Sequence, residues 1–276
     1  MIQLQSVAPK GAGGETFPFT VPAVRSLSER PLEFTTPVTF FVGENGSGKS
    51  TMLEGIAAAA GLPTIGSQDV RNDASLASAR ALGASFRLAW SQRTHRGFFL
   101  RAEDFFGFSK SLTKLRAELN ERLADIDREY ADRPGVPKAL ATGPVASSLA
   151  DMSRRYGTDL DANSHGQSFL KLFQNRFVPR GLYLMDEPEA PLSPQSQLGL
   201  IAMLLEMAHE HEAQFVIATH SPILLAFPGA TIYSFDEVPV RVVAFDDLPH
   251  VTLTREFLEN PERYLRHLVR PDATDP

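Results

Sequence analysis

Short apolar runs separated by polar and turn-forming residues fill the first and last thirds of the chain. Val38 to Val42 (VTFFV) is continuously β-branched and aromatic, which is typical of a strand buried on both faces of a parallel sheet. Leu182 to Met185 and Gln214 to Thr219 are apolar runs of the same kind. Lys49 to Ala60 contains strong helix formers and is followed by Gly61, so a helix is predicted there. Alternating strands and helices predict an α/β fold with crossover connections.

Other apolar segments predict the rest of this alternation. We expect further strands at Ile2 to Val7, Phe17 to Val24, Leu32 to Thr35, Ser85 to Ser91, Phe98 to Arg101, Thr231 to Phe235 and Val240 to Phe245. Helices are expected at Asp73 to Leu82, Pro194 to His211 and Thr254 to Leu268.

The middle of the chain has a different pattern. Between Ser109 and Tyr130 apolar residues recur at steps of three and four, which predicts an amphipathic helix. Asp132 to Pro144 carries three prolines and two glycines, so a loop is predicted there. A short helix is expected at Ala146 to Tyr156. We therefore interpret residues from about 103 to 164 as a helical insertion into a single domain of 276 residues.

Composition and charge narrow the class of protein. With 43% hydrophobic and 22% charged residues, the chain is typical of a globular protein. The absence of cysteine excludes disulfides and thiolate-bound metals. A net charge of -6 argues weakly against non-specific DNA binding. No apolar run reaches the roughly 20 residues of a membrane span, and the N-terminus lacks a signal-peptide pattern. We therefore expect a soluble, cytoplasmic protein that reaches a membrane only through a partner protein.

A phosphate-binding pattern lies between the first apolar strand and its helix. The pattern G-x-x-x-x-G-K-[ST] is matched in full by Gly43, Glu44, Asn45, Gly46, Ser47, Gly48, Lys49, Ser50 and Thr51. Its glycines let backbone N–H groups close around phosphate oxygens at a helix N-terminus. Lys49 is expected to reach the β- and γ-phosphates, and the Ser50 hydroxyl to bind Mg²⁺. The sequence thus predicts a site for ATP and Mg²⁺.

Polar residues with suitable chemistry follow two other predicted strands. Asp186 and Glu187 end the strand LYLM, and His220 follows the strand FVIAT. Ligands of open parallel sheets bind beyond the carboxyl ends of the strands, so these residues should share an edge with Lys49. Asp186 would hold Mg²⁺, and Glu187 would act as general base towards the attacking water. His220 would contact either the γ-phosphate or that water.

The order of these motifs resembles that of the ATP-binding-cassette (ABC) class of ATPases. GENGSGKST is followed by SHGQS, then by LYLMDEP, then by ATHSP. SHGQS is similar to the signature motif of the class, usually written LSGGQ, with Ser164, Gly166 and Gln167 matching. The resemblance implies a mostly parallel central sheet with an N-terminal antiparallel β portion and an inserted helical subdomain. It also implies an ATP-dependent homodimer in which each ATP lies between one P-loop and the partner's signature motif.

The resemblance leaves several assignments open. Glu103 stands where the class carries a glutamine that contributes to the metal site, and it could either take that role or act as a helix-capping acid. Ser193 stands where the class carries an aspartate, which puts the usual coupling across the dimer in doubt. Arg25 or Phe34 could contact the adenine base, although a structural role is the simpler interpretation of each.

The biological role remains open between three hypotheses. The segment DEPEAPLSP is closer to standalone RecF-like and SMC-like ATPases, which leaves a nucleic-acid partner open. The alternative is the ATP-binding subunit of an ABC membrane transporter. A switch that binds ATP without hydrolysing it is disfavoured by Glu187 and His220.

Overall fold

The computed structural model describes residues 2–11, 13–65, 77–131, 135–156 and 165–266. The strands in chain order are β1 (Leu4–Pro9), β2 (Leu32–Glu33), β3 (Val38–Val42), β4 (Phe86–Trp90), β5 (Gly97–Leu100), β6 (Leu182–Asp186), β7 (Gln214–Ala218), β8 (Thr231–Ser234) and β9 (Arg241–Val242). The helices are α1 (Pro22–Ser26), α2 (Lys49–Ala60), α3 (Ala77–Ser85), α4 (Ala102–Glu129), α5 (Val136–Tyr156), α6 (His165–Arg176), α7 (Pro194–His209), α8 (Pro222–Leu225), α9 (Pro249–Glu259) and α10 (Pro261–Leu265).

The strands form two sheets. The large sheet has the order β5-β6-β7-β3-β8-β9, in which only the pairing of β8 with β9 is antiparallel. The small sheet has the order β2-β1-β4 and is antiparallel throughout. The chain therefore has an α/β fold with a mostly parallel sheet and an antiparallel portion built from early strands, as the sequence predicts.

Both faces of the large sheet are buried, which explains the continuous apolar run of β3. Phe40 packs into a cluster with residues of α6 and α7, whereas Phe41 packs on the opposite face with residues of α2. Both rings are fully buried. Burying a side chain of this size contributes about 1.5–3 kcal/mol relative to exposure, so the two faces together fix β3 at the centre.

Gln214 links the two sheets. Its Oε1 accepts hydrogen bonds from the backbone N–H groups of Gln3 (3.0 Å) and Leu4 (2.8 Å). Its Nε2 donates to the carbonyl oxygen of Leu4 at 2.9 Å. A buried amide with its donor and acceptor both satisfied avoids a desolvation penalty, so this side chain ties β1 to the start of β7.

The predicted strand at Phe17 to Val24 is wrong. Residues 17–20 form a turn, and α1 begins at Pro22. Proline lacks a backbone donor and has a fixed φ, which suits the first turn of a helix and not a paired strand.

The predicted loop at Asp132 to Pro144 is also wrong from Val136 onward. The helix α5 starts there and continues through Pro144 to include the short helix predicted at Ala146 to Tyr156. Packing of α5 along α4 overrides the local penalty of proline. The buried side chains Ile126 and Met152 lie on these two helices, and Lys138 pairs with Asp127 at 2.9 Å.

Other boundaries differ from the prediction by smaller amounts. The helix expected from Ser109 begins at Ala102. The strand expected at Val240 to Phe245 is reduced to Arg241–Val242, and the helix expected at Thr254 to Leu268 is two helices that meet at Asn260. Pro261 lacks the donor that a continuous helix needs, and the Asn260 side chain caps the second helix. Asp73 to Leu76 and His267 to Leu268 lie outside the described residues.

None of the helices in the described part of the chain combines the length and apolar character that crossing a membrane requires.

Candidate functional site

The candidate site lies at the carboxyl edge of the large sheet. In the parallel register Phe41 of β3 and Asp186 of β6 both pair with Ala218 of β7. The residues that follow these strands are Gly43, Glu187 and Thr219. Because all three strands run in the same direction, the P-loop, the acidic pair and the segment containing His220 meet at one edge, as predicted.

The P-loop has a backbone that only glycine adopts readily. Gly43 and Gly48 have φ values of 148° and 101°. A Cβ on Gly48 would lie 2.6 Å from Cγ1 of Val21, and a Cβ on Gly43 would lie 2.9 Å from Oγ of Ser47. The loop therefore needs glycine at both positions, for conformation and for space.

The Lys49 side chain is folded into the loop that precedes it. Its Nζ donates to the carbonyl oxygens of Gly43 (2.6 Å) and Glu44 (3.1 Å), and the residue is 5% exposed. Burial lowers the pKa of Lys49, while the carboxylates of Asp186 and Glu187 act in the opposite direction. A buried ammonium among backbone carbonyls and acids is placed to bind an anionic ligand entering the loop.

Asp186 is partly buried beside the start of α2. Burial raises its pKa to about 6, and a hydrogen bond from the Ser50 side chain opposes that shift. Oδ1 of Asp186 is buried and has no hydrogen-bond partner among the described residues. A hydroxyl next to a carboxylate with an unused oxygen suits Mg²⁺, which binds oxygen ligands. The two residues therefore fit the metal site that the sequence predicts, at Ser50 and Asp186.

Glu187 is held in an unusual backbone conformation. Its φ is 47°, and its N–H donates to the carbonyl oxygen of Ala218 at 2.9 Å. A non-glycine residue in this region costs about 1–3 kcal/mol and persists only where its surroundings hold it. Oε1 of Glu187 lies 3.8 Å from Nε2 of His220, and both side chains are 41% exposed. The predicted base and the predicted histidine are therefore adjacent and open to solvent.

Glu189 is a site residue that the sequence analysis missed. Its Oε1 accepts hydrogen bonds from Oγ1 of Thr219 (2.6 Å) and from the N–H of His220 (2.9 Å). Its Oε2 is buried without a partner among the described residues, and burial raises the pKa of this carboxyl. Glu189 thereby fixes the backbone that carries His220. Its only signal in the sequence was its place as the third acid of DEPE.

Asp236 is the other residue missed. It follows β8, which pairs with β3, and its Oδ1 accepts a hydrogen bond from the N–H of Glu44 at 2.6 Å. This contact fixes the first turn of the P-loop from the side. An acid just past a fourth strand end was visible in the sequence, but the adjacency of β8 and β3 was not.

Several predicted site residues have no described side chain. Ser164 lies outside the described residues, while Gly166 and Gln167 lie in the first turn of α6, described only as backbone. The helix beginning at the signature motif is confirmed to that extent. Glu103 lies in the first turn of α4, just after β5, and its expected metal role stays a prediction.

The two residues considered for adenine differ in accessibility. Phe34 is 3% exposed, so its ring belongs to the core and is not available for stacking. Arg25 is exposed and its Nε donates to the carbonyl oxygen of Phe19 at 3.3 Å.

Comparison with known proteins gives one family match. Residues 20–94, which contain the P-loop, match the family model described as "AAA domain". A comparison with curated proteins finds no match.

Solved structures of similar shape include ABC cassettes and an SMC head. An inward-facing ABC transporter described as metal-chelate type has a TM-score of 0.47 and 18% identity, covering 94% of this chain and 90% of its own. A nucleotide-free ATP-binding cassette of an ABC transporter has a TM-score of 0.46 and 15% identity, covering 98% and 100%. The SMC head domain of Pyrococcus furiosus, bound to the C-terminal domain of ScpA, has a TM-score of 0.44 and 13% identity, covering 95% and 100%.

The P-loop, the acidic strand and the parallel sheet are those of a P-loop NTPase fold. Together with the family match at residues 20–94, they are consistent with an ATPase of the ABC class, as the order of the sequence motifs predicts.

Proposed function

We propose that the protein binds ATP with Mg²⁺ and hydrolyses it. The observation that carries this proposal is the single sheet edge that holds Lys49, Asp186 and Glu187 together. The conclusion that the chain has the fold of a nucleotide-binding P-loop protein depends only on the backbone conformation of the loop.

The residues at this carboxyl edge of the sheet have different proposed roles. The N–H groups of the P-loop and the Lys49 ammonium bind the β- and γ-phosphates, and the dipole of α2 favours their negative charge. Ser50 and Asp186 would hold Mg²⁺, which supplies neutralisation of the charge that develops on the phosphate oxygens.

Glu187 is the proposed general base. Its exposed carboxylate can accept a proton from a water molecule placed against the γ-phosphate. His220, at 3.8 Å, positions that water or contacts the phosphate, and Glu189 holds the histidine backbone in place.

We further infer that hydrolysis takes place in a homodimer. The proposal rests on the order of the motifs and on the helix that begins at His165. Ser164, Gly166 and Gln167 of one copy would meet the phosphates bound by the other copy, where the N-terminal dipole of α6 adds to that of α2. The helical subdomain proposed at about 103–164 comprises most of α4 and all of α5 and adjoins the signature segment in the chain.

The substitution Glu187→Gln tests the proposed base. The amide retains the shape of the side chain but cannot take a proton, so turnover should fall by about 10²–10⁴-fold while ATP still binds. The variant should then accumulate as a nucleotide-bound dimer, detectable as a doubling of mass by light scattering with MgATP.

A matched control is Glu121→Gln, which removes the same charge from an exposed position on α4. This control should hydrolyse ATP at the parent rate. If Glu187→Gln also kept the parent rate, Glu187 would not be the base.

A further inference from the structure

A basic pocket lies at the amino edge of the large sheet, opposite the P-loop. Its volume is about 370 Å³. Arg96 directly precedes β5, and Arg180 lies two residues before β6. The P-loop, in contrast, follows the carboxyl end of β3. The pocket is therefore separate from the candidate ATP site. The residues that line it are Gln3, Gln92, Arg93, Thr94, His95, Arg96 and Arg180.

The pocket has a fixed backbone frame. The buried Thr94 donates through Oγ1 to the carbonyl oxygen of Arg180 (3.1 Å) and accepts from the N–H of Arg96 (3.1 Å). The N–H of Leu182 donates to the carbonyl oxygen of Arg96 at 3.0 Å. These bonds use only the backbones of Arg96 and Arg180, so they hold both residues at the pocket without engaging the Arg96 guanidinium.

The charge of the pocket is largely uncompensated. Arg180 pairs with Glu212 at 2.8 Å. The side chains of Arg93 and Arg96 are exposed and form no ion pair within the described part of the chain. Three guanidinium groups thus face one carboxylate, on a chain whose net charge is -6. Such a local reversal of sign attracts anions.

We propose that this pocket binds phosphate groups of a nucleic-acid backbone. Guanidinium forks match phosphate oxygens and form two parallel hydrogen bonds with them. All three arginines are exposed, so they can contact successive phosphates of a nucleic-acid strand that lies across the surface. A small free anion is better held by buried donors. This site adds a ligand to the proposed ATPase and does not depend on its catalytic residues.

The double substitution Arg93→Ala/Arg96→Ala tests the site. Fluorescence anisotropy of a short labelled single-stranded oligonucleotide and of its duplex measures binding over a series of salt concentrations. Loss of two phosphate contacts should weaken binding roughly tenfold and reduce the slope of log affinity against log salt by about 2. The double substitution Arg93→Lys/Arg96→Lys should recover part of the affinity because it restores the charge.

The matched control is Arg122→Ala, which removes an exposed arginine from α4. It should bind the oligonucleotide as the parent does, and the ATPase rate without nucleic acid should be equal in all variants. Equal oligonucleotide affinity of the double alanine variant and the parent would overturn the proposal. So would an equal loss in Arg122→Ala. Displacement of the oligonucleotide by inorganic phosphate at the same phosphate concentration would assign the pocket to free phosphate instead.

Discussion

Asp186 combines a proposed metal-binding position with a location that penalises its charge. Its pKa is raised from 3.8 to about 6 by burial, and one of its oxygens has no partner among the described residues. A shift of this size corresponds to at most roughly 3 kcal/mol of unfavourable free energy for the ionised carboxyl in the folded chain. Because the folded pKa lies above the unfolded one, this penalty is absent at acid pH and complete above about pH 6.

Replacing Asp186 by asparagine should therefore stabilise the protein while abolishing the proposed ATP hydrolysis. At pH 8, without Mg²⁺ or nucleotide, Asp186→Asn should raise the free energy of unfolding by about 1–3 kcal/mol, and the gain should shrink towards pH 5. Urea unfolding followed by circular dichroism measures both values. Lower stability of the variant than of the parent at pH 8 would show that the ionised carboxylate of Asp186 does not destabilise the folded protein.

At this scale the sequence predicted the residues that carry a recognisable pattern. Ser50 and Asp186 fit the predicted metal site because each belongs to a short motif, the P-loop or the acidic strand end, that can be recognised from neighbouring residues. Glu189 and Asp236 were not predicted, because their roles consist of hydrogen bonds to backbone groups 31 and 192 residues away. The spacing of residues along the chain does not indicate such long-range contacts.

The pairing of β5 with β6 depends on one glycine. Gly97 has a φ of 119°, and a Cβ there would lie 1.8 Å from the carbonyl oxygen of Leu182. No shift of a flexible side chain relieves this overlap, because the obstacle is the backbone of the neighbouring strand. Gly97 is the first residue of β5 and directly follows Arg96, which lines the amino-edge pocket.

Gly97→Ala should consequently destabilise the protein strongly. We expect a loss of about 3 kcal/mol or more in the free energy of unfolding, measured by thermal or urea denaturation. Gly143→Ala is the matched control, since Gly143 lies within α5 with nothing near its position. Alanine there should be neutral or stabilising by up to about 1 kcal/mol. Similar stabilities of the two variants would contradict the described register of β5.

Elements with a strong local pattern were predicted well, and those decided by packing were not. The helix α2 was predicted to the residue, because Gly48 and Gly61 both have positive φ and mark its ends. The strand β3 was predicted because two buried faces require an unbroken apolar run. The first half of α5 was missed because its prolines and glycines favour a loop locally, and its packing along α4 stabilises the helical form.

The whole molecule brings its functional groups together through strand direction. Parallel register places the ends of β3, β6 and β7 at one edge, so residues far apart in sequence converge there. This convergence was predictable from the alternation of strands and helices. The amino-edge pocket was not predicted, because it depends on which strands are neighbours in the sheet.

The central claim is that the P-loop and the acidic pair form one site for MgATP. Calorimetric titration of the protein with ATP in the presence of Mg²⁺ tests it most directly, with Lys49→Ala as the comparison. We predict saturable heat for the parent, and at least about tenfold weaker binding for Lys49→Ala because a buried charge-assisted contact to phosphate is lost. Absence of heat from the parent, or equal affinity of the two proteins, would contradict the account.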